Sequence, residues 1–378
     1  MTSFFLKNII AVTLLATAAF KAQAQIVYIG SDSLIEKILP QVPLLLKPGR
    51  DEHFRTAYRA GCAWYLYEFT KDKTYLGAAE RLSKMLRKET ITSMSRESVM
   101  AGIVSSGNGF RLTHDKIYLE ELLDAAKWWQ EFHSCTAMKC GNKDSLFIPE
   151  PKEGPCTINP WYLPDLAIAF EAARNDKSAL YLKKLAIKYA DRARENLITE
   201  DHMVTNGFTY NGRTGERIIY KEGEIPPGSR SVYHEDRNLY AINQAGFIYG
   251  FALVYRATKD DEFLKAAEGV ADAFIRRLPA DGISPEIFTD STGGGKNPVA
   301  SAMAAAALFE LATQTKDMNR TRIYKAQAKK ILTALGDGDY LKPGTMDEYY
   351  LLLTDYYYLE ALLRLKRLEQ GKTLYEPL

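Results

Sequence analysis

The stretch Thr258-Lys259-Asp260-Asp261-Glu262-Phe263-Leu264-Lys265-Ala266-Ala267 decides how this chain is built. Its polar Thr-Lys-Asp triplet interrupts two apolar runs, and its Thr and Asp oxygens can accept bonds from the first N–H groups of a following helix. Behind it, Phe263, Leu264, Ala267, Val270 and Phe274 recur at the spacing of one helical face. The unit repeats. Tyr67-Glu68-Phe69-Thr70-Lys71-Asp72 leads into Tyr75-Leu76 and Ala78-Ala79, and Arg111-Leu112-Thr113-His114-Asp115 into Tyr118-Leu119. Asn175-Asp176 leads into Tyr181-Leu182, and Thr315-Lys316-Asp317 into Tyr324.

Each two-helix hairpin leaves an apolar face that only a neighbour can cover, so hairpins in series predict a closed or solenoidal helical array. A further helix over 348–368 makes room for a sixth pair. The expected fold is all-α, an (α/α)6-type toroid, with an open solenoid as the alternative. Strand signals are confined to 208–210 and 217–220. The segments 141–164, 206–230 and 281–298 carry the Gly, Pro and Asn that break helices. Loops of that length in a compact domain are usually functional, and in a ring they are expected to gather at one mouth and build a cleft.

Ahead of the array, Lys7, the apolar run from Ile9 to Phe20 and Ala22-Gln23-Ala24 read as a secretory signal cleaved after Ala24. The run falls short of the roughly 20 apolar residues that a bilayer span needs. The expectation is an exported protein, periplasmic or secreted, with residues 25–378 as one domain and no membrane contact beyond export. Lys and Arg number 49 against 47 Asp and Glu, so no global field draws the chain to nucleic acid. Hydrophobic residues at 46% exclude a disordered chain. Cys135, Cys140 and Cys156 share one loop-rich stretch, where a disulfide is the natural expectation for an oxidising compartment. Their spacing, with no paired histidine, is poor for zinc, so neither a metal nor another cofactor is expected. Cys62 lies in an apolar helix and reads as a buried small residue.

Four segments stand out: Gly107-Asn108-Gly109-Phe110-Arg111-Leu112-Thr113, Gln244-Ala245-Gly246-Phe247-Ile248-Tyr249-Gly250-Phe251, Leu278-Pro279-Ala280-Asp281-Gly282 and the closing Asp355-Tyr356-Tyr357-Tyr358-Leu359-Glu360-Ala361-Leu362-Leu363-Arg364-Leu365. Together they resemble glycoside hydrolase families 88 and 105, the unsaturated glucuronyl and galacturonyl hydrolases. The resemblance runs over nearly the whole chain after the signal. It implies an (α/α)6 barrel and an acidic oligosaccharide or polysaccharide as partner. It also marks departures. Where the family has a His-Asp pair before Gly-Asn-Gly, this chain has Arg96-Glu97, and the second essential aspartate falls on Asn159. The family's Trp-Ala-Arg-Gly-Gln-Ala-Trp becomes Tyr240-Ala241-Ile242-Asn243-Gln244-Ala245-Gly246, and a further aspartate becomes Asn297.

Hydrating the enol ether of an unsaturated uronide needs an acid that donates and recovers a proton. Glu97 keeps a carboxyl for that role, whereas an amide such as Asn159 cannot exchange a proton at neutral pH. The richest run of catalytic residue types is Tyr233-His234-Glu235-Asp236-Arg237-Asn238-Leu239-Tyr240. β-Elimination of a uronate needs its carboxylate neutralised, a base for the C5 proton and an acid for the departing O4. Asn159 and Arg237 suit the first task, His234 the second, and Tyr240 or Tyr233 the third. That composition is similar to α/α-toroid polysaccharide lyases of the alginate and glucuronan type. Asn108, Trp161, Gln244 and Glu286 complete the candidate sugar contacts. The leading expectation is therefore a polysaccharide lyase; the alternatives are a divergent unsaturated-uronyl hydrolase and a glycan-binding ring without turnover.

Overall fold

The computed structural model describes residues 30–46, 53–90, 99, 102–133, 155–211, 214, 216–218, 238–289 and 295–375. Among them the inner wall of a ring is formed by α1 (His53–Thr70), a π-helical stretch Gly102–Gly107 continued by α3 (Asn108–Thr113), α5 (Leu166–Asn175), α7 (Ala241–Thr258), α9 (Pro298–Gln314) and α11 (Glu348–Glu369). The outer layer is α2 (Lys73–Thr90), α4 (Lys116–His133), α6 (Leu180–Leu197), α8 (Asp261–Arg277) and α10 (Met318–Asp337). Each inner member packs on the next, and α11 returns to α1. The array is closed: an all-α toroid, not an open solenoid.

Composition sorts the layers. The inner helix α9 is buried at every position from Pro298 to Ala312, with alanines that let its neighbours approach on all sides. The outer helix α8 buries Phe263, Leu264, Ala267, Val270 and Phe274, the face read from the sequence, and keeps Asp261, Glu262, Lys265 and Arg276 exposed, while Glu268 is buried and paired with Arg320.

The repeated triplet is one turn used again and again. Thr258 Oγ1 donates to the Val254 carbonyl four residues back (2.8 Å) and accepts the Asp260 N–H (3.2 Å), while Asp260 Oδ1 accepts the Glu262 N–H (3.0 Å). The same bonds recur around Thr70 and Asp72 and around Thr113 and Asp115. So the Asp caps the second helix as expected, but the Thr closes the end of the first. The residue between them takes a left-handed conformation, with φ of 62° at Lys71, 58° at His114 and 60° at Lys259.

Two expectations are corrected. The sixth pair is not a hairpin: α11 is backed by the start of the chain, where the Tyr358 hydroxyl donates to the Leu34 carbonyl (3.0 Å) and Ser31 Oγ donates to Glu369 (2.6 Å). The strand signals belong to a small antiparallel sheet in the order β1-β2-β3, of β1 (Pro155–Ile158), β2 (Phe208–Asn211) and β3 (Arg217–Ile218). Its first strand lies in a segment whose sequence shows only helix-breaking residues.

Gly250 explains one motif residue. A Cβ there would stand 2.5 Å from the Leu163 side chain and 2.9 Å from its backbone, where the 3-10 turn Pro160–Asp165 crosses α7. Gly250→Ala gains about 1 kcal/mol of helix propensity but overpacks against backbone, typically at a cost of 1–3 kcal/mol. The expected result is a net loss of stability, read as a lower denaturation midpoint at unchanged slope.

Candidate active site

The hairpin polarity gives the ring two unlike mouths. Every inner helix leaves through a short turn or, for α11, the C-terminal tail, and is entered from a longer connection. The long connections therefore meet at the N-terminal ends of the inner helices, as the sequence implied.

At that mouth the entering residues are mostly helix caps. Asn159 precedes the 3-10 turn, and its Oδ1 accepts the Trp161 N–H (3.0 Å). Asn297 Oδ1 accepts the Ala300 N–H at the start of α9 (2.8 Å). Tyr240 is the residue before α7 and pairs through its backbone with Ile287, while the Ala241 N–H donates to the Glu286 carbonyl (3.0 Å). These links bring Tyr240 and Glu286 onto the same rim. The Glu286 carboxylate is exposed and accepts a bond from Asn297 Nδ2 (2.7 Å), which fixes one of its oxygens. That amide-held carboxylate was not legible as a pair, since eleven residues separate its members in the chain.

The other candidates stand as follows. Glu97, Tyr233, His234 and Arg237 lie outside the described residues, as do Cys135 and Cys140. Trp161 is half-buried against the core, with its Cα 3.5 Å from where a Gly246 side chain would begin. Gln244 is a correction. It is fully buried, accepting the Val204 N–H on Oε1 (2.7 Å) and donating from Nε2 to the Val204 carbonyl (2.6 Å), so it clamps backbone rather than sugar. Asn108 is a second correction: it is buried midway along the inner member 102–113, with its side chain spent inside the wall. It donates to the Val104 carbonyl (3.0 Å) and accepts from Arg111 (3.0 Å). Cys62 is buried and unpaired, as expected, and burial and the nearby Asp355 charge push its thiol well up.

The sequence reading missed the chemistry of the short-turn mouth. Glu68, fully buried in the last turn of α1, accepts from Arg111 (2.5 Å) and from Arg367 of α11. Burial alone would raise its carboxyl, but the hydrogen bond and charge of Arg111, then those of Arg367, outweigh it and hold the group below the usual range. Glu310, in α9, is likewise held down against burial by Arg256 and Arg364 and by the Tyr375 hydroxyl. The available signal was a charged residue close to the C-terminal end of an otherwise apolar run, Glu68 in one helix and Glu310 in the other.

No protein-family model matches the chain. It is 27% identical over 350 residues to the unsaturated glucuronyl hydrolase of Bacillus sp. strain GL1, spanning 82% of this chain and 85% of that protein. The likeness is to unsaturated glucuronyl hydrolases. The enzyme of that name from Formosa agariphila is 24% identical over 362 residues, spanning 89% of this chain and 84% of its own. The crystal structure of an unsaturated glucuronyl hydrolase specific for heparin superposes with a TM-score of 0.73 at 23% identity, covering 91% of this chain and all of that one. The resemblance read in the motifs therefore stands, and the ring is the (α/α)6 toroid of these hydrolases. The comparisons favour glycoside hydrolysis over the lyase reading that led in the sequence.

The Glu68 cluster makes a test of ring closure. Glu68→Gln leaves two buried guanidinium groups short of their anion and is expected to cost about 3–5 kcal/mol at neutral pH. Because the folded carboxyl is depressed, its stabilisation is fully present above the unfolded value near 4.3. It fades as pH falls through the folded value. Thermal melts from pH 7 to pH 3 should show a constant gap between wild type and variant that narrows only below about pH 4.

Proposed function

We propose that this chain hydrolyses the unsaturated uronyl residue from the end of acidic, glycosaminoglycan-type oligosaccharides, at the mouth where the long connections meet. The observation that carries this reading is the Glu286 carboxylate, held by Asn297 on the rim of a ring shared with unsaturated glucuronyl hydrolases. The N-terminal ends of α7, α9 and α11 open on the same mouth, and their partial positive charge favours an acidic sugar there.

The chemistry follows from the enol ether. A carboxyl delivers a proton to C4, and water adds to the cation at C5 while a carboxylate takes its proton. The resulting hemiketal opens to a C5 ketone, and the hemiacetal left at C1 expels the neighbouring sugar as an alcohol. Glu286 and Glu97 are the two carboxyls assigned to this proton traffic. Asn159 and Asn297 orient groups but move no proton. Tyr240 and Trp161, with Tyr233, His234 and Arg237 from the segment ahead of α7, are assigned to holding the uronate.

Incubation with unsaturated uronyl disaccharides should remove the ultraviolet absorbance of the C4–C5 double bond. Glu286→Gln and Glu97→Gln should each lower kcat by about 10²–10⁴-fold, the usual contribution of a general acid or base. New absorbance from intact uronate polymer would instead establish β-elimination. Saturable oligosaccharide binding without either change would establish a glycan-binding ring.

We also infer export, from the leader ending at Ala22-Gln23-Ala24. Among the described residues no helix is long and apolar enough to cross a membrane. The protein recovered from its native cell should begin at Gln25, and recovery with Met1 in place sinks the inference.

A further inference from the structure

The outer helices α2, α4, α6 and α8 each carry both signs of charge, whereas α10 holds Arg320, Arg322, Lys325, Lys329 and Lys330 and no acid before Asp337 at its end. Acids around it are already engaged. Glu268 and Asp272 of α8 pair with Arg320 (2.7 and 3.0 Å), Asp281 with Lys296 (2.7 Å) and Asp337 with Lys37 (2.9 Å). Arg322 and Lys330 are exposed and Lys325 is half-buried, and none of the three makes an ion pair among the described residues. Tyr324, Ala328, Ile331, Leu332 and Leu335 turn into the core. That register sends Arg322, Lys325 and Lys329 along one side of the outward face, over about 10 Å at 1.5 Å per residue.

Such a face works against the free protein. Like charges one turn apart on a helix repel, and the other outer helices intersperse acids where α10 does not. A bound polyanion removes that repulsion. The row of cations also has a direction. α10 runs from the short-turn mouth to the long-connection mouth. Towards its C-terminal end Lys330 lies against Gly282, where a Cβ would stand 3.5 Å from the Lys330 Cγ. Gly282 belongs to the connection that carries Glu286 and Asn297, so the cations climb the outer wall toward the site proposed above. An extended polyanion can follow such a row. An anionic bilayer is the poorer fit, because an amphipathic helix gives lipid its apolar face, and that face of α10 is spent on the ring's core. Met318 and Ile323 are exposed beside the row and suit the C–H faces of sugar rings.

We propose that the outward face of α10 is a docking surface for an acidic polysaccharide chain, held by Arg322, Lys325, Lys329 and Lys330. The choice of a glycan as the polyanion rests on the hydrolase reading above; the charged surface itself does not. Docking keeps the enzyme on the polymer whose fragments it consumes. The contacts are made in water between exposed charges, so they weaken as salt rises.

The probes are intact chondroitin sulfate, hyaluronan and alginate, titrated into the whole chain by calorimetry. At least one polymer should bind saturably at low ionic strength and be released as salt is added. Arg322→Gln, Lys325→Gln and Lys330→Gln combined should weaken that binding by about tenfold, the size expected from losing three exposed ion pairs. The same variant should melt no lower than the wild type and turn over unsaturated disaccharide unchanged, since no residue of the long-connection mouth is altered. Absence of binding to all three polymers, undiminished binding in the triple variant, or tighter binding to phosphatidylglycerol vesicles or to duplex DNA overturns the proposal. Polymer binding through α10 by a protein that leaves the disaccharide intact tells against the hydrolase reading alone.

Discussion

A ring of helices holds only if its last inner helix meets its first in the correct register, and here a buried carboxylate fixes that meeting. Glu68 of α1 lies between Arg111 of α3 and Arg367 of α11, so one anion ties the first, second and last inner members together. Apolar packing would tolerate small sliding of α11 along α1, but a slip of one turn moves a side chain by about 5.4 Å and strands two guanidinium groups in the interior. Buried ion pairs add little net stability when formed and cost much when broken. Their value in this ring is to penalise wrong registers. The aromatic contacts above them obey the same register: Tyr356 meets the Tyr58 ring at 5.2 Å and shares a 3.0 Å hydrogen bond with Tyr65. Gly61 supplies the space, since a Cβ there would stand 2.7 Å from the Tyr356 ring.

With the register fixed, the direction of the chain distributes chemistry between the two mouths. The Thr-x-Asp turn is self-contained: it closes one helix and caps the next within three residues, leaving no free length for a binding loop. Longer connections must therefore arrive at the other end, where the N–H groups of the inner helices point outward. Asn297 and Asp347 each spend a side-chain oxygen on one of those groups, and Asn159 does the same for the 3-10 turn that leads into α5. Two of these caps stand where the resembling family has aspartate. An amide caps a helix as well as a carboxylate does, so the substitution preserves the fold while removing a proton-transferring group.

The exit end carries the opposite design. Its charges are withdrawn into the wall as Arg–Glu pairs and covered by Leu374 and Tyr375, and burial with the Glu310 charge raises the Tyr375 hydroxyl above its ordinary range. A tail residue that stays neutral can sit among buried ions without adding a charge of its own.

The sequence by itself determined the helices, their pairing and the faces they bury, because capping triplets and apolar periodicity are local and repeat along the chain. Phe263, Leu264, Ala267, Val270 and Phe274 were legible as one buried face for that reason. It also marked which connections are long, and hence where a cleft forms. Only the tertiary structure decided what each polar residue does. Gln244 and Asn108 look like sugar contacts in a motif, yet their partners, Val204 in one case and Val104 and Arg111 in the other, are set by how helices cross and end. Glu286 and Asn297, or Glu68 and Arg367, are far apart in the chain and meet only because the ring closes. Hydrogen bonds and ion pairs act over a few ångströms, and no pattern along a chain specifies which distant residues come that near until the packing of the helices has placed them.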